Sequence, residues 1–149
     1  VPTQLESVED IVAAVLQRLR KRKAVYLPTV KVAAGLPLLN CNMVLVEQVL
    51  DNLIDNAIKH SGAPGSVELN VLQQQGGVVF QVSDSGQGMQ SQLKSKGDES
   101  RGLGIGLQLC KAVAQVHSGR LEFSSAASSG IGVLATFALP STIAQEHGA

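Results

Sequence analysis

The chain has 149 residues, with 12 Lys plus Arg against 12 Asp plus Glu, so its formal net charge is zero. That balance argues against a dedicated nucleic-acid or membrane-surface module, and the length suits one domain with a real core. Only 3% of the residues are aromatic and Trp is absent, so the core has to be built from Val, Leu, Ile and Ala. Cys41 and Cys110 lie far apart, with no CxxC and no His cluster, and read as buried thiols of a reducing compartment. The apolar runs are far short of a membrane span and no signal peptide opens the chain, so a cytoplasmic location is expected, whether or not a parent protein is membrane-anchored.

Ser7 and Asp10 resemble a capping box with Asp in place of Glu. A helix follows, with Val8, Ile11, Val12, Val15, Leu16 and Leu19 on one stripe. It ends in the basic run 18–23. Such a run could bind phosphate, but cations also suit the negative pole of a helix, and a solvated helix end is the favoured reading. Residues 25–33 are β-rich, and Thr29-Val30-Lys31-Val32 alternates like a strand. Gly35, Pro37 and Asn40 punctuate the path to a second helix over 46–60, where Val46, Val49, Leu50, Leu53, Ile54, Ala57 and Ile58 form an i, i+3, i+4, i+7 stripe. Its other face carries Asn52, Asn56 and Lys59, which point the same way. A solvated face is usually filled with better helix formers than Asn. An Asn carbonyl can ligate Mg²⁺, and its amide can donate to phosphate oxygens. On this helix alone, solvated face and phosphate site stay equally open.

Residues 61–65 stop that helix, and strands over 66–73 and 78–83 follow, joined by a Gln74-Gln75-Gly76-Gly77 turn. The stretch 84–106 is rich in Gly, Ser, Lys and Gln and is expected to be irregular and mobile. A helix over 103–117 should bury Leu103, Leu107, Cys110 and Ala114 and end at Ser118-Gly119. Strands over 120–125 and 131–139 form a second hairpin around Ser128-Ser129-Gly130; Pro140 ends the fold, and 141–149 is expected to be a loose tail. This order predicts an α+β, two-layer α/β sandwich: a mixed, mostly antiparallel sheet covered on one face by about three helices.

Two glycine-rich stretches carry further chemistry. In Asp84-Ser85-Gly86-Gln87-Gly88, an Asp at a strand end can accept from an exocyclic amine while bare backbone lies close to a flat ring. Alone, it reads more simply as a turn. In Arg101-Gly102-Leu103-Gly104-Ile105-Gly106-Leu107, alternate glycines clear the backbone where a helix begins, which suits an anion at free N–H groups; a glycine-rich hinge stays open as well. The spacing fits neither a Walker loop nor GxGxxG.

In this order the motifs resemble the nucleotide-binding domain shared by sensor histidine kinases, gyrase, Hsp90 and the mismatch-repair protein MutL (the GHKL superfamily). The stretch from Asn52 to His60 looks like its N box, Asp84 to Gly88 its first glycine box, and Gly102 to Leu107 its second; 130–140 is similar to the closing glycine-to-Leu-Pro strand of histidine kinases. The resemblance covers roughly Leu36 to Pro140 and implies a Bergerat-type sandwich. It divides the chain into a catalytic, ATP-binding domain over 1–140 and the tail over 141–149.

The resemblance also implies roles. ATP and Mg²⁺ are the implied cofactors, with Asn56 on the metal. Asn52 and Lys59 would contact phosphate oxygens, with Arg101 beside them at the transferring group. Asp84 would bind the adenine amine, and Gly86, Gly88, Gly102, Leu103, Gly104 and Gly106 would shape the pocket and its lid, with His60 near the nucleotide. The family's ATPases carry Glu where Asn52 stands; a neutral amide is no base, so transfer to a histidine is expected rather than hydrolysis. The implied partners are the kinase's own dimerisation and histidine-phosphoacceptor domain and, through it, a response regulator, with no nucleic acid. Dimerisation normally belongs to that acceptor hairpin, so a monomer is expected. The run from Leu36 to Leu50 also resembles potassium-responsive sensor kinases.

The sequence departs from the pattern in three places. His60, His117 and His147 do not sit on an acceptor hairpin. The lid, 89–101, has thirteen residues and no Phe. Val133 stands where Thr or Ser often closes the adenine pocket. The alternatives are a catalytically silent nucleotide-binding regulatory module with a short lid, and a GHKL ATPase.

Overall fold

The computed structural model describes residues 1–22, 27–61, 66–84, 98–125 and 133–141, leaving aside the side chains of 60–61, 98–105 and 125. Helix α1 (Val8–Lys21) starts at Ser7, whose Oγ accepts from the Asp10 N–H at 3.4 Å. It buries Val8, Ile11, Val12, Val15 and Leu19. Helix α2 (Met43–Ser61) begins earlier than the apolar stripe suggested, because Asn42 caps it. The Asn42 side-chain oxygen accepts from the Leu45 N–H at 3.1 Å, as an N-cap Asn does. Helix α3 (Asp98–Val116) also starts earlier than expected, so 98–102 is helical rather than irregular. Asp98 and Glu99 favour that start, since acidic residues suit the positive end of a helix.

Two short strands, β1 (Gln4–Glu6) and β3 (Leu39–Cys41), pair antiparallel. At three residues each they are too short to show a period in sequence. The main sheet holds β2 (Thr29–Val32), β4 (Val67–Gln74), β5 (Gly77–Asp84), β6 (Arg120–Ser125) and β7 (Val133–Pro140), in the order β2-β4-β5-β7-β6. Only β2 and β4 run parallel; the other neighbours are antiparallel. Helices α2 and α3 pack on the sheet, and α1 packs on α2. The core between the layers includes Leu50, Ile54, Leu69, Phe80 and Phe137, with the two Phe rings 5.9 Å apart. The mixed, mostly antiparallel sheet with three helices among the described residues is the expected α+β sandwich.

Three junctions have a physical basis that the sequence alone does not show. The β4–β5 turn is only Gln75-Gly76, with φ of 52° and 77°, the geometry of a two-residue type I′ hairpin. Gly77 lies outside it, and a Cβ there would run into the Leu139 carbonyl oxygen, so close approach to β7 is what selects glycine. At the end of α3 the left-handed residue is Ser118 (φ 57°), and the N–H groups of Ser118 and Gly119 return to Gln115 and Ala114 in a Schellman cap. Gly119 answers to packing instead, since its Cβ would meet the Ala138 oxygen. Ser141, placed in the tail by sequence, is buried and donates its N–H to the Gly76 oxygen; 142–149 lie outside the described residues.

Candidate functional site

The site is built on the central strand, β5. Val78, Phe80 and Val82 alternate into the core, and Asp84 continues that parity on the helix-facing side. Register sets Asp84 between Val67 of β4 and Val133 of β7. All three are buried, with Asp84 only 4% exposed. A carboxylate at the end of the strand, flanked by two valines, combines a polar acceptor with apolar walls, which suits a flat heteroaromatic ring bearing an amine.

Helix α2 lies across β4 and β5 and carries the two Asn residues, both half-buried. Asn52 faces α3. A Cβ on Gly106 would stand 3.9 Å from Asn52 Cγ and 4.0 Å from its Oδ1. One turn further along α3, the Cys110 thiol lies 4.0 Å from the Val49 oxygen. Burial pushes that thiol up to about 11, while a hydrogen bond from the Asn52 side chain works the other way. The α2–α3 seam is therefore lined by small residues on the α3 side and brings Asn52 and Gly106 together. Asn56 sits one turn further along α2.

The second glycine motif is not at a helix start. Arg101, Gly102, Leu103, Gly104 and Gly106 all lie within α3. Within the helix the free N–H groups of the first turn are those of 98–100, so Gly102 and the residues after it donate within the helix. Glycine's poor helix propensity hides the true start in the sequence, which predicts a helix only from 103, within the motif, while α3 begins at Asp98. His60 lies in the last turn of α2 with its side chain undescribed, and Gly86 and Gly88 lie outside the described residues.

Lys59 points to a neighbour the sequence reading missed. Its Nζ lies 3.4 Å from Asp55 Oδ2, while Arg22 Nη1 lies 3.5 Å from Asp55 Oδ1. Arg18 bridges Glu47 at 2.6 Å and Asp51 at 2.9 Å. The basic end of α1 is thus a ladder onto α2, not simply a solvated terminus. The signal was present: Arg18 and Arg22 are four apart, and so are Glu47, Asp51 and Asp55. Burial raises the Asp51 carboxyl above its ordinary range against the pull of Arg18, and Asp51 Oδ1 has no hydrogen-bond partner.

Among the described residues no group of three or more His, Cys, Asp or Glu could hold a metal. A divalent cation here would take one amide oxygen, such as that of Asn56, and complete its shell with phosphates and water, which is how Mg²⁺ is usually held. None of the described helices is long and apolar enough to cross a membrane.

Residues 42–143 match the family described as histidine kinase-, DNA gyrase B-, and HSP90-like ATPase. The chain is 30% identical over 138 residues to the sensor protein KdpD of Clostridium acetobutylicum, covering 85% of this chain and 15% of that protein. It spans well under half the length of the curated relatives it matches. The nucleotide-free catalytic domain of histidine kinase ThkA superposes with a TM-score of 0.74 at 19% identity, over 94% of this chain and 96% of that one. Full-length ShkA in complex with AMPPNP superposes with a TM-score of 0.73 at 21% identity, over 94% of this chain and 31% of that one. The fold is that of a histidine kinase catalytic domain, and the chain belongs to the family of histidine kinase-, DNA gyrase B-, and HSP90-like ATPases.

Proposed function

We propose that this chain binds Mg·ATP and transfers the γ-phosphoryl group to a histidine on a separate dimerisation and phosphoacceptor domain, which passes it to a response regulator. The observation that carries the proposal is a buried Asp84 at the end of β5, on the helix-facing side of the sheet, beneath a helix whose position 52 is Asn, where the family's ATPases have Glu. Asp84 holds the adenine amine between Val67 and Val133. Asn56 takes the metal, Asn52 and Lys59 take phosphate oxygens, and Arg101 with the glycines of the second motif lines the γ-phosphate side. His60 lies near the nucleotide, and Gly86 and Gly88 shape its edge. Mg²⁺, when bound, neutralises phosphate charge, and the protein supplies mainly positioning. With an amide at position 52, no carboxylate activates water there. The working unit is residues 1–140, monomeric and cytoplasmic.

The test is a titration with a fluorescent ATP analogue. Asp84→Asn and Asn56→Ala should each weaken binding at least tenfold; unchanged affinity in both would sink the assignment.

The short lid favours a second reading, a nucleotide-binding regulatory module without transfer. Of the thirteen lid residues, 98–101 lie in helix α3. Grafting a longer lid that contains Phe separates the readings: transfer that appears only with the graft supports the second for the natural chain.

A further inference from the structure

The ion-pair ladder between α1 and α2 ends on a residue that the proposed phosphate site uses. Lys59 Nζ and Arg22 Nη1 hold opposite oxygens of Asp55, at 3.4 and 3.5 Å. Asp55 precedes Lys59 by four residues on one helix face, the favourable order for such a pair. We propose that Asp55 is a positioning residue that keeps Lys59 off the phosphate site until nucleotide arrives, and that Arg22 retains Asp55 when Lys59 leaves.

The inference rests on reading Lys59 as a phosphate contact. The Lys59 side chain is 65% exposed and that of Asp55 is 37% exposed, so water screens their attraction and the pair is easily exchanged. A triphosphate carries more charge than one carboxylate and draws Lys59 away. The two cations suit different parts in this exchange. Lysine is a compact charge on a flexible stem, whereas an arginine keeps its charge at any working pH, and Arg22 reaches Asp55 through Nη1 alone. Arg22 is also the cation at hand, because Arg18 is already bonded to Glu47 and Asp51. The backbone of Arg22 is held as well, with its N–H bonded to the Leu19 oxygen at 3.1 Å. Asp55 therefore keeps a partner in both states, and the end of α1 tunes nucleotide affinity without touching nucleotide.

A fluorescent Mg·ATP analogue titrated into the 149-residue chain tests this. Asp55→Asn should tighten binding about two- to fivefold, the range spanned by one exposed ion pair. Arg22→Gln should weaken binding about twofold, because Lys59 then becomes the sole cation on Asp55 among the described residues. Both effects should shrink to within error in a Lys59→Ala background, where binding itself is weaker. Equal effects of Asp55→Asn with and without Lys59 would mean bulk charge alone and overturn the inference, as would tighter binding in Arg22→Gln. A Lys59→Ala variant that binds as tightly as the parent would refute Lys59 as a phosphate contact, and the inference with it.

Discussion

His117 Nε2 accepts a hydrogen bond from the backbone N–H of Asn42 at 3.0 Å, fastening the C-terminal end of α3 to the N-terminus of α2. The other ring nitrogen, Nδ1, bonds the Val113 oxygen at 2.8 Å, which fixes the neutral tautomer with its proton on Nδ1. Asn42 is itself a hub: it caps α2 and reaches the Pro2 oxygen at 2.9 Å. The two helices joined here are those that carry Asn52 and Gly106. His117→Ala strands a partly buried N–H and should cost about 1–3 kcal/mol, the penalty of an unsatisfied buried donor. Asn42→Ala should cost about 1 kcal/mol for the lost cap. Urea unfolding of the singles and the double should show coupling; strictly additive losses would mean that His117 does not act through Asn42.

The thiols of Cys41 and Cys110 are both pushed up to about 11 by burial. A raised pKa contributes stability that is complete below the unfolded thiol's value and is lost as pH rises through the folded one. Stability should therefore fall between about pH 9 and pH 11, and replacing both cysteines with Val should flatten that limb. At pH 8 neither thiol should react with a disulfide reagent until the chain unfolds. Rapid labelling of the native chain at either position would contradict the packing.

Asp51 gives an acid-side prediction. Its folded carboxyl titrates above the ordinary 3.8, chiefly through burial, with Arg18 opposing. Its contribution is complete below that value and is lost as pH rises through the folded one. Asp51→Asn should match the parent near pH 3 and be at least as stable at pH 7. A clear loss confined to pH 7 would show that the Arg18 pair outweighs the desolvation of Asp51.

Two glycines should be costly for reasons of contact. Gly77→Ala and Gly119→Ala drive a Cβ against the carbonyl oxygens of Leu139 and Ala138. Each should cost about 1–3 kcal/mol, the usual scale for overpacking. Gly35 has φ 73° but open space around its Cβ, so Gly35→Ala should cost only backbone strain, on the order of 1 kcal/mol. Thermal melts that rank Gly35→Ala as the worst of the three would contradict this.

Much of the fold was legible because its elements are long and periodic. The stripe from Val46 to Ile58 and the alternation of β4 and β5 each repeat often enough to reveal a buried face. The strands β1 and β3 were not legible, since three residues carry no period. The start of α3 was hidden because Gly102, Gly104 and Gly106 weaken the helical signal while the chain still runs helically through them. In the candidate site, Asn52, Asn56 and Asp84 stood out through residue type and position. The partners of Asp55 on α1 and of His117 depend on tertiary packing: Arg22 reaches Asp55 across 33 residues of sequence, and Asn42 reaches His117 across 75. Spacing marks which residues are available to pair, but not which distant ones meet.

The central claim is that Asn52, standing where a catalytic Glu would activate water, directs the γ-phosphoryl to a histidine. The most direct measurement follows γ-labelled Mg·ATP incubated with this chain and the dimeric acceptor domain of a sensor kinase relative, separating label on acceptor histidine from free phosphate. The account predicts acid-labile label on the acceptor, little steady phosphate release, and loss of labelling in Asn56→Ala. Steady phosphate release that survives Asn52→Ala but not Asn56→Ala, with no labelled acceptor, would contradict it and mark the chain as an ATPase.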